Sequence, residues 1–541
     1  MTPSSFRTVS VSRRRVLSLA AGATALAAAS PLRRATAQQV TPGASPAPPG
    51  TPVAASAPPL PLPSTLAADA SPQFRAVVEA LVAAMRAHQV PGAAIGLLAG
   101  DREEHATVGL ASLSSMRPVT PETLFQIGSL SKTYTATVIW RLIDEGALAL
   151  DKPVRTWIPN LTLMDEEVAA KLTIGNLLDH SAGFYGDEGF NTGDDDEVLA
   201  RYVANRLPHL PQIFPLGAFF SYNNAGFTLL GRLIEVAAGT TYNAAMGNLL
   251  LGPLGLDDTL LDHAAVLRRP YADGHVALPI NGRPAVAVET PLWVPRSVDP
   301  AGAIWATTRD VLRYGRFHLA AGTIAGPANI VSPNSLRQMQ EPAMPIPGTS
   351  LQIGRDWFVQ DVAGMRVFSH DGDTLGQHTD FVAIPAQQFA LIVLTNGQGG
   401  GLAATAALAA LDAALAQFPA LTPLVGKLGL THALLAPAGA PTVTLSADDL
   451  TAYAGRYADP GQVLTFARSG DGLTVTQEQL IQPGSWQPAI QPPPGPVVPL
   501  TFLAKDIALV NGARLPFVRD ASGRVQWVSN GLRLVPRVAG D

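Results

Sequence analysis

The stretch Leu124-Phe-Gln-Ile-Gly-Ser-Leu-Ser-Lys132 is the most informative part of this chain. Within it, Ser129 and Lys132 form a Ser-x-x-Lys pair at the predicted start of a helix. Three residues are nearly one helical turn, so both side chains lie on the same face of the helix. A serine hydroxyl needs an adjacent base to become a nucleophile, and a lysine of lowered pKa is one such base. The alternative is a capped helix with an ordinary surface lysine.

Lysine is rare in this chain. Of the 37 Lys and Arg residues only five are lysine, namely Lys132, Lys152, Lys171, Lys427 and Lys505. None of the other four lysines has a serine three residues before it. Because arginine does not deprotonate in proteins, this usage indicates that a titratable amine matters beside Ser129.

Two further segments extend the pattern, Tyr222-x-Asn224 and His370-x-Gly372. Their order and spacing resemble the class C-like branch of the serine beta-lactamase and penicillin-binding-protein superfamily, and the resemblance covers about residues 70–420. Four framing segments are similar to the same branch: Leu172–Phe184, Pro253–Thr259, Ala301–Asp310 and Val393–Asn396.

The resemblance implies an α+β fold: helices flank a beta-lactamase/transpeptidase-like antiparallel sheet, and the site lies between this part and a mainly helical lobe. Strand signals near both ends of the region agree with one sheet assembled from distant segments. Hairpin signals at Ser469–Gly472 and Ala521–Gly523 predict a small all-β unit, which resembles a lipocalin-like C-terminal domain. The predicted boundaries are a signal peptide at 1–37, a Pro/Ala-rich linker at 38–70, the hydrolase domain at 71–420, a linker at 421–441 and a β-barrel-like domain at 442–541.

The resemblance also implies roles for the matching residues. Ser129 is expected to attack a carbonyl carbon and form an acyl-enzyme, while Lys132 and Tyr222 handle its proton as a coupled pair. Which of the two takes the proton stays open at this point. Asn224 is expected to hold the lysine amine and to donate to the substrate. The backbone N–H groups of Ser129 and Asp373 are expected to form the oxyanion hole.

Substrate choice is expected to depend on His370, which stands where this branch otherwise has the lysine of Lys-Thr-Gly. A histidine is mostly neutral near pH 7, so it favours esters, amides or peptides that lack an obligatory carboxylate. Gly372 is expected to let the strand backbone approach the acyl group. Two other histidines are candidates of lower rank, His180 as a structural residue of a turn and His378 as a lining residue of the cleft.

The acidic loop from Gly186 to Glu197 would repel anions if it overhangs the cleft. The alternative is a solvated acidic loop without a ligand.

The N-terminus has the pattern of a twin-arginine-type signal, with Arg13-Arg14, an apolar stretch from Val16 to Ala29 and Ala35-Thr-Ala37. We expect cleavage after Ala37, export to the periplasm or beyond, and no stable membrane span afterwards. The alternative is an uncleaved anchor, for which fourteen Ala-rich residues are short.

Composition excludes several classes of function. The absence of cysteine rules out disulfides and thiol nucleophiles, and no clustered metal-ligand motif occurs. A net charge of −5 without a long basic patch argues against a nucleic-acid partner. The sequence therefore predicts an exported serine hydrolase without cofactor or metal, acting on a small-molecule or peptide substrate. Esterase or D-specific peptidase and carboxypeptidase activities are favoured, and the alternatives are a beta-lactamase or a non-catalytic penicillin- or peptide-binding protein. The sequence carries no signal for the oligomeric state.

Overall fold

The computed structural model describes residues 60–187, 189–280, 283–288, 294–320, 330–374, 376–398, 402–437, 439–480 and 494–539. The predicted signal peptide and most of the first predicted linker lie outside the described residues. Within these ranges, no helix has both the length and the apolar character needed to cross a membrane.

The region before residue 440 mixes helices and strands. Its described strands are β1 (Ser64–Leu66), β2 (Gly92–Ala99), β3 (Arg102–Ser112), β4 (Arg117–Pro118), β5 (Phe125–Gln126), β6 (Thr259–Leu260), β7 (His275–Ile280), β8 (Arg283–Val288), β9 (Trp305–Ala306), β10 (Met344–Pro345), β11 (Gln352–Ile353), β12 (Phe358–Val362), β13 (Met365–Asp373), β14 (His378–Ile384), β15 (Phe389–Thr395) and β16 (Gly397–Gln398). Its described α-helices are α1 (Pro72–His88), α2 (Ser131–Asp144), α3 (Glu166–Lys171), α4 (Ile174–Leu178), α5 (Val198–Asn205), α6 (Asn224–Ala238), α7 (Tyr242–Met246), α8 (Gly252–Leu254), α9 (His263–Val266), α10 (Asp299–Gly302), α11 (Thr308–Leu319), α12 (Pro333–Met339), α13 (Leu402–Gln417) and α14 (Gly429–Leu434).

An antiparallel sheet with ten described strands forms the centre of this region. Its main path runs β1-β3-β2-β15-β14-β13-β12-β11-β10, and β4 pairs with β3. Strand β15 lies antiparallel to β2, from Phe389 opposite Ala99 to Thr395 opposite Ala93. The predicted sheet built from distant segments is therefore confirmed.

The folded chain begins earlier than the sequence suggests. Strand β1 lies inside the segment predicted to be a linker, and it pairs with the edge of β3 from Ser64 to Leu66. A Pro-rich stretch gives little strand signal. Strand β1 pairs with the open edge of β3, and the local sequence around β1 does not reveal that this edge is available.

The two faces of the sheet are covered differently. On one face, α1 and α13 pack together and bury side chains such as Phe74, Leu81 and Leu411 against Val393. The many alanines of α13 allow this close approach. The other face packs against α11 and joins the core of the helical lobe, which includes α2.

Helix α2 is buried along most of its length because its neighbours surround it. Its threonine hydroxyls find partners inside: Thr135 Oγ1 donates to Pro300 O at 2.7 Å, and Thr137 Oγ1 donates to Thr133 O at 2.7 Å. Buried polar groups that are satisfied in this way hold the helix in one position. The residues at its N-terminus are therefore well anchored.

The C-terminal region is mainly β structure. It contains α15 (Ala447–Tyr453) and the described strands β17 (Gly455–Asp459), β18 (Gln462–Ser469), β19 (Gly472–Gln479), β20 (Val498–Pro499), β21 (Thr501–Ala504), β22 (Ile507–Val510), β23 (Ala513–Arg519), β24 (Val525–Asn530) and β25 (Arg533–Pro536). They form two antiparallel sheets, of four and of five described strands. Both predicted hairpins, β18–β19 and β23–β24, are confirmed.

Aromatic side chains fill the space between these two sheets. The rings of Tyr453 and Phe517 stack at 4.3 Å, and Phe466 meets Phe517 at 5.1 Å. The C-terminal unit therefore has a hydrophobic core of its own.

The C-terminal unit docks on the segment that precedes α6. Trp527 Nε1 donates to Ile213 O at 2.8 Å. At the β24–β25 turn, Tyr222 N donates to Leu532 O at 2.9 Å and Leu534 N donates to Ser221 Oγ at 3.0 Å. The stretch 421–441, predicted to be a linker, contains α14, which packs against β13 and α13.

Candidate active site

Ser129 lies in a 3-10 turn, Gly128–Leu130, that leads directly into α2. Its side chain is half-buried, whereas Lys132 one turn later is completely buried. Lys132 Nζ lies 3.0 Å from Ser129 Oγ and 2.6 Å from the carbonyl oxygen of Ala301. The predicted serine–lysine contact is therefore present.

Burial of the amine lowers the pKa of Lys132 to about 7. Asp356 opposes this shift, while Arg533 adds to it. An amine in this range is neutral in a large part of the molecules at physiological pH, and a neutral amine can accept a proton.

Tyr222 lies across from this pair, with its ring centroid 4.9 Å from Lys132 Nζ. Burial raises the pKa of the Tyr222 hydroxyl well above its ordinary value, and the nearby Ser129 hydroxyl lowers it only in part. No described residue forms a hydrogen bond of ordinary geometry with that hydroxyl. Tyr222 is therefore a neutral phenol in the resting site, close to Ser129 and Lys132.

Asn224, the first residue of α6, has a different partner from the one predicted. Its Nδ2 donates to Asp187 Oδ1 at 2.9 Å. Among the described residues, Ser129 and Ala301 accept from the Lys132 amine. The Lys132 amine thus donates to the Ala301 carbonyl and not, as expected, to the Asn224 side chain, because α10 passes beside α2.

Strand β13 packs directly on the turn that carries Ser129. A Cβ on Gly372 would lie 2.0 Å from Ile127 O and 2.9 Å from Ser129 N. Gly128 has a φ of +55°, and a Cβ there would lie 2.7 Å from Asp373 N. Both positions require glycine, and together they bring the backbone N–H groups of Ser129 and Asp373 to the same part of the site.

His370 is buried within the site, with 1% of its surface exposed. Its Nδ1 lies 2.6 Å from Asp371 O, and its ring packs at 5.0 Å from Phe358 and 6.2 Å from Tyr222. Burial lowers its pKa to about 3, so the ring is neutral, as the sequence suggests for pH 7. Any influence of His370 on substrate passes through the neighbours that cover it.

The other histidines occupy separate positions. His180 Nδ1 accepts from Asn223 N at 2.9 Å while its ring stacks on Tyr222 at 4.4 Å, which confirms a structural role. His378 Nδ1 lies 3.0 Å from Asp373 Oδ1. Burial lowers the pKa of His378, but neighbouring aspartates, Asp373 first, raise it to about 9.

Sequence reasoning missed three ionisable residues of this site, Asp187, Asp356 and Arg533. Burial raises the pKa of the Asp356 carboxyl well above its ordinary value. Asp356 is wholly buried, with Oδ1 3.3 Å from His180 Nε2 and 3.9 Å from His370 Nε2. Arg533, from the C-terminal unit, forms an ion pair with Asp187 and lies over the Tyr222 ring at 4.9 Å. None of the three belongs to a motif. The one available signal was an acidic loop, of which Asp187 is a member.

Two further aspartates of that acidic loop pair with arginines: Arg201 Nη2 contacts Asp195 Oδ1 at 2.7 Å, and Arg296 Nη2 lies 3.3 Å from Asp196 Oδ1. The described residues contain no cluster of His, Asp and Glu side chains that could hold a metal ion.

The sequence around this site matches a known family. A family model described as Beta-lactamase matches residues 74–415, which include every predicted site residue. The chain belongs to the beta-lactamase family. This is a family of serine hydrolases, as the resemblance in the sequence implied.

Curated relatives within the beta-lactamase family differ in their printed names. The chain is 34% identical over 318 residues to a penicillin-binding protein 4 of Amycolatopsis lactamdurans, covering 57% of this chain and 82% of that protein. It is 32% identical over 203 residues to esterase EstB of Burkholderia gladioli, covering 34% of this chain and 50% of that protein.

A solved structure shares the beta-lactamase fold together with most of this chain's length. SurE matches with a TM-score of 0.65 at 23% identity, covering 86% of this chain and 99% of SurE. The predicted fold class is confirmed by this likeness.

Proposed function

We propose that this chain is a serine hydrolase that forms an acyl-enzyme on Ser129. The observation that carries the proposal is the buried Lys132 amine, 3.0 Å from Ser129 Oγ. A buried lysine beside an accessible serine has the geometry and the lowered pKa that a general base requires.

In the proposed reaction, the neutral Lys132 amine takes the proton of Ser129 as Oγ attacks the carbonyl carbon. The N–H groups of Ser129 and Asp373 stabilise the oxyanion, and the Lys132 ammonium then protonates the leaving group. Water releases the acyl group in a second step of the same kind. We assign the base to Lys132, because its amine lies 3.0 Å from Ser129 Oγ and burial favours the neutral Tyr222 phenol over the phenolate.

The favoured substrates are esters, amides and peptides, D-configured ones included. A neutral, buried His370 offers no fixed charge for a substrate carboxylate. The esterase name of one relative supports ester cleavage. The structural neighbour D-amino acid amidase from Ochrobactrum anthropi, solved with D-phenylalanine, has 22% identity and a TM-score of 0.53. That likeness concerns the fold alone.

The first test is turnover of p-nitrophenyl butyrate by the purified mature protein and by Ser129→Ala. Turnover that disappears in the variant supports the proposal. Fluorophosphonate labelling of wild type but not of Ser129→Ala separates a hydrolase from a binding protein. Paired D- and L-amino acid p-nitroanilides then test stereochemical preference. Absence of both turnover and labelling would contradict the proposal and favour a binding protein.

Beta-lactamase activity is the second candidate, since one relative with that name, from Lysobacter lactamgenus, is 30% identical over 261 residues, 48% of this chain and 62% of that protein. Hydrolysis of a penicillin at a rate matching the ester would favour it.

The proposal includes export through the twin-arginine-type segment 1–37. Expression in a bacterium with and without Arg13-Arg14→Lys-Lys tests this part. Retention of the variant inside the cell, with wild type outside the inner membrane, supports export.

A further inference from the structure

The β24–β25 turn carries an arginine of the C-terminal unit to the proposed active site. Arg533 Nε donates to Asp187 Oδ2 at 2.7 Å, and Nη2 donates to Asp187 Oδ1 at 3.0 Å. Nη1 donates to Gly531 O at 2.9 Å. A two-pronged ion pair of this kind fixes the guanidinium plane, although 30% of the Arg533 side chain stays exposed.

Arg533 and Lys132 lie on the same aromatic ring. The Arg533 guanidinium carbon and Lys132 Nζ are each 4.9 Å from the Tyr222 centroid, so the two cations are within about 10 Å of each other. The Tyr222 side chain that lies between them is buried, and burial weakens screening by solvent and salt. Two cations this close repel each other measurably.

The same ion pair reaches a second residue of the site. Asp187 Oδ1, which accepts from Arg533, also accepts from Asn224 Nδ2 at 2.9 Å. The backbone around Tyr222 is held by the same turn, through Leu532 O. Arg533 therefore lies on the Tyr222 ring, reaches Asn224 through Asp187, and lies near Lys132 on that same ring.

We propose that Arg533 is a positioning residue of the active site. It orients Asn224 through Asp187, and its own positive charge disfavours the ammonium form of Lys132. The C-terminal unit would then be part of the catalytic machinery and not only a packing module. The catalytic consequence rests on the proposed hydrolysis, whereas the effect on the Lys132 charge does not.

The charges around Lys132 set the sign of each test. Arg533 opposes the ammonium form, while Asp187 favours it. An ionised Asp356 would favour it as well, but burial raises the pKa of the Asp356 carboxyl well above its ordinary value. His180 and His370 also face the Lys132 amine, and burial keeps both neutral. Removing Arg533 should therefore raise the Lys132 midpoint, and removing the charge of Asp187 should lower it.

The experiment is a pH titration of the full chain labelled with [13Cε]lysine, followed by NMR. Five lysines give five signals, and loss of one in Lys132→Met assigns it. We expect Arg533→Gln to raise the Lys132 midpoint by about one pH unit, from Coulomb's law at this distance. Asp187→Asn should lower it. Arg533→Lys, which keeps the charge, should stay near wild type, whereas a merely structural role would make both Arg533 variants alike.

A matched control exists in the same unit. Arg519 makes a similar two-pronged ion pair with Asp506, with 27% of its side chain exposed. Arg519→Gln changes the net charge by the same amount and should leave the Lys132 midpoint unchanged. Circular dichroism and thermal melting check that each variant is folded.

Fluorophosphonate labelling of the same variants separates the two proposals. If the fluorophosphonate labels the wild type but the Lys132 midpoint is unchanged in Arg533→Gln, the proposed role of Arg533 is wrong and the proposed hydrolysis is unaffected. Equal shifts in Arg533→Gln and Asp187→Asn, in the same direction, would overturn it as well. If the wild type is not labelled but Arg533→Gln and Asp187→Asn shift the Lys132 midpoint in opposite directions, the proposed hydrolysis is wrong and the effect of Arg533 on Lys132 stands.

Discussion

At the scale of single residues, the burial of Lys132 has the largest electrostatic effect on the site. Its amine is wholly buried, and a buried ammonium is costly unless it is neutralised or paired. The Ala301 carbonyl and the Ser129 hydroxyl hold the amine in place, while Asp356 moderates the loss of charge. The same burial that penalises a charge here creates a base near neutral pH.

The first prediction concerns the amine itself. Lys132→Met keeps the length and volume of the side chain but removes the proton acceptor, so acylation of Ser129 by a fluorophosphonate should slow by about 100- to 10,000-fold. The measurement is the labelling rate at pH 8. Lys152→Met, at an exposed lysine, is the control and should label at the wild-type rate. Equal rates in both variants would contradict the role of Lys132.

The second prediction is a dependence on pH. The rate of p-nitrophenyl butyrate cleavage should fall as the pH drops through about 7, because protonation removes the Lys132 base. A profile that stays flat from about pH 5 to 9 would rule out this base.

Stability should titrate with the same group. An unfolded lysine titrates near 10.4, so between about pH 7 and 10 the folded state binds fewer protons than the unfolded state. The wild-type free energy of unfolding should therefore rise with pH across this window, relative to Lys132→Met. Urea titrations of both proteins at pH 7 and 9.5 measure it, and a constant difference between them would be inconsistent with a lowered pKa.

At the scale of elements, the site depends on the contact of one strand with one turn. Strand β13 approaches the turn Gly128–Leu130 so closely that glycine is required on both sides, at Gly372 and Gly128. Local patterns predicted the helix and the strand separately. Their contact follows from the order of the sheet, in which β13 is surrounded by β12 and β14.

The third prediction tests that contact. A methyl group at Gly372→Ala would meet backbone atoms that cannot move aside, so the strand or the turn must shift and displace an oxyanion donor. Loss of one such donor costs about 3–4 kcal/mol of barrier, and kcat should fall by about 100- to 1,000-fold. Gly247→Ala is the control, because a Cβ there meets no heavy atom within 4 Å. Normal kcat in Gly372→Ala would show that the strand does not form the oxyanion hole.

At the scale of the whole molecule, the C-terminal unit and the hydrolase region share a packed interface. Trp527 and Leu534 join Phe214 in one buried cluster, and Phe219 packs on Trp527 at 5.1 Å. This interface places the β24–β25 turn, and with it Arg533, at the site. Stability of the interface and geometry of the site are therefore linked.

The fourth prediction concerns that linkage. Trp527→Ala should cost about 3–5 kcal/mol and separate the unfolding of the two regions, so that calorimetry shows two transitions in place of one. Trp157→Ala is a matched control, because that indole also donates to a carbonyl at 2.8 Å but lies away from the interface. A single transition at lowered temperature in both variants would argue against the linkage.

Spacing along the chain was sufficient to predict contacts between residues that lie close together in the sequence. The geometry of one helical turn brings Lys132 to Ser129, and the residues of short turns reveal the two hairpins of the C-terminal region. The motifs at Tyr222 and Gly372 could be found because they belong to a pattern with a known order.

Contacts between distant segments could not be inferred in this way. Asp187 and Arg533 are 346 residues apart, and Ala301 meets Lys132 across 169 residues. Such partners are chosen by how sheets and helices pack, which depends on the shape and burial of the whole chain and not on the spacing of neighbouring residues. The pKa of Lys132 belongs to this second class, because desolvation exists only once the surrounding elements have closed over the amine.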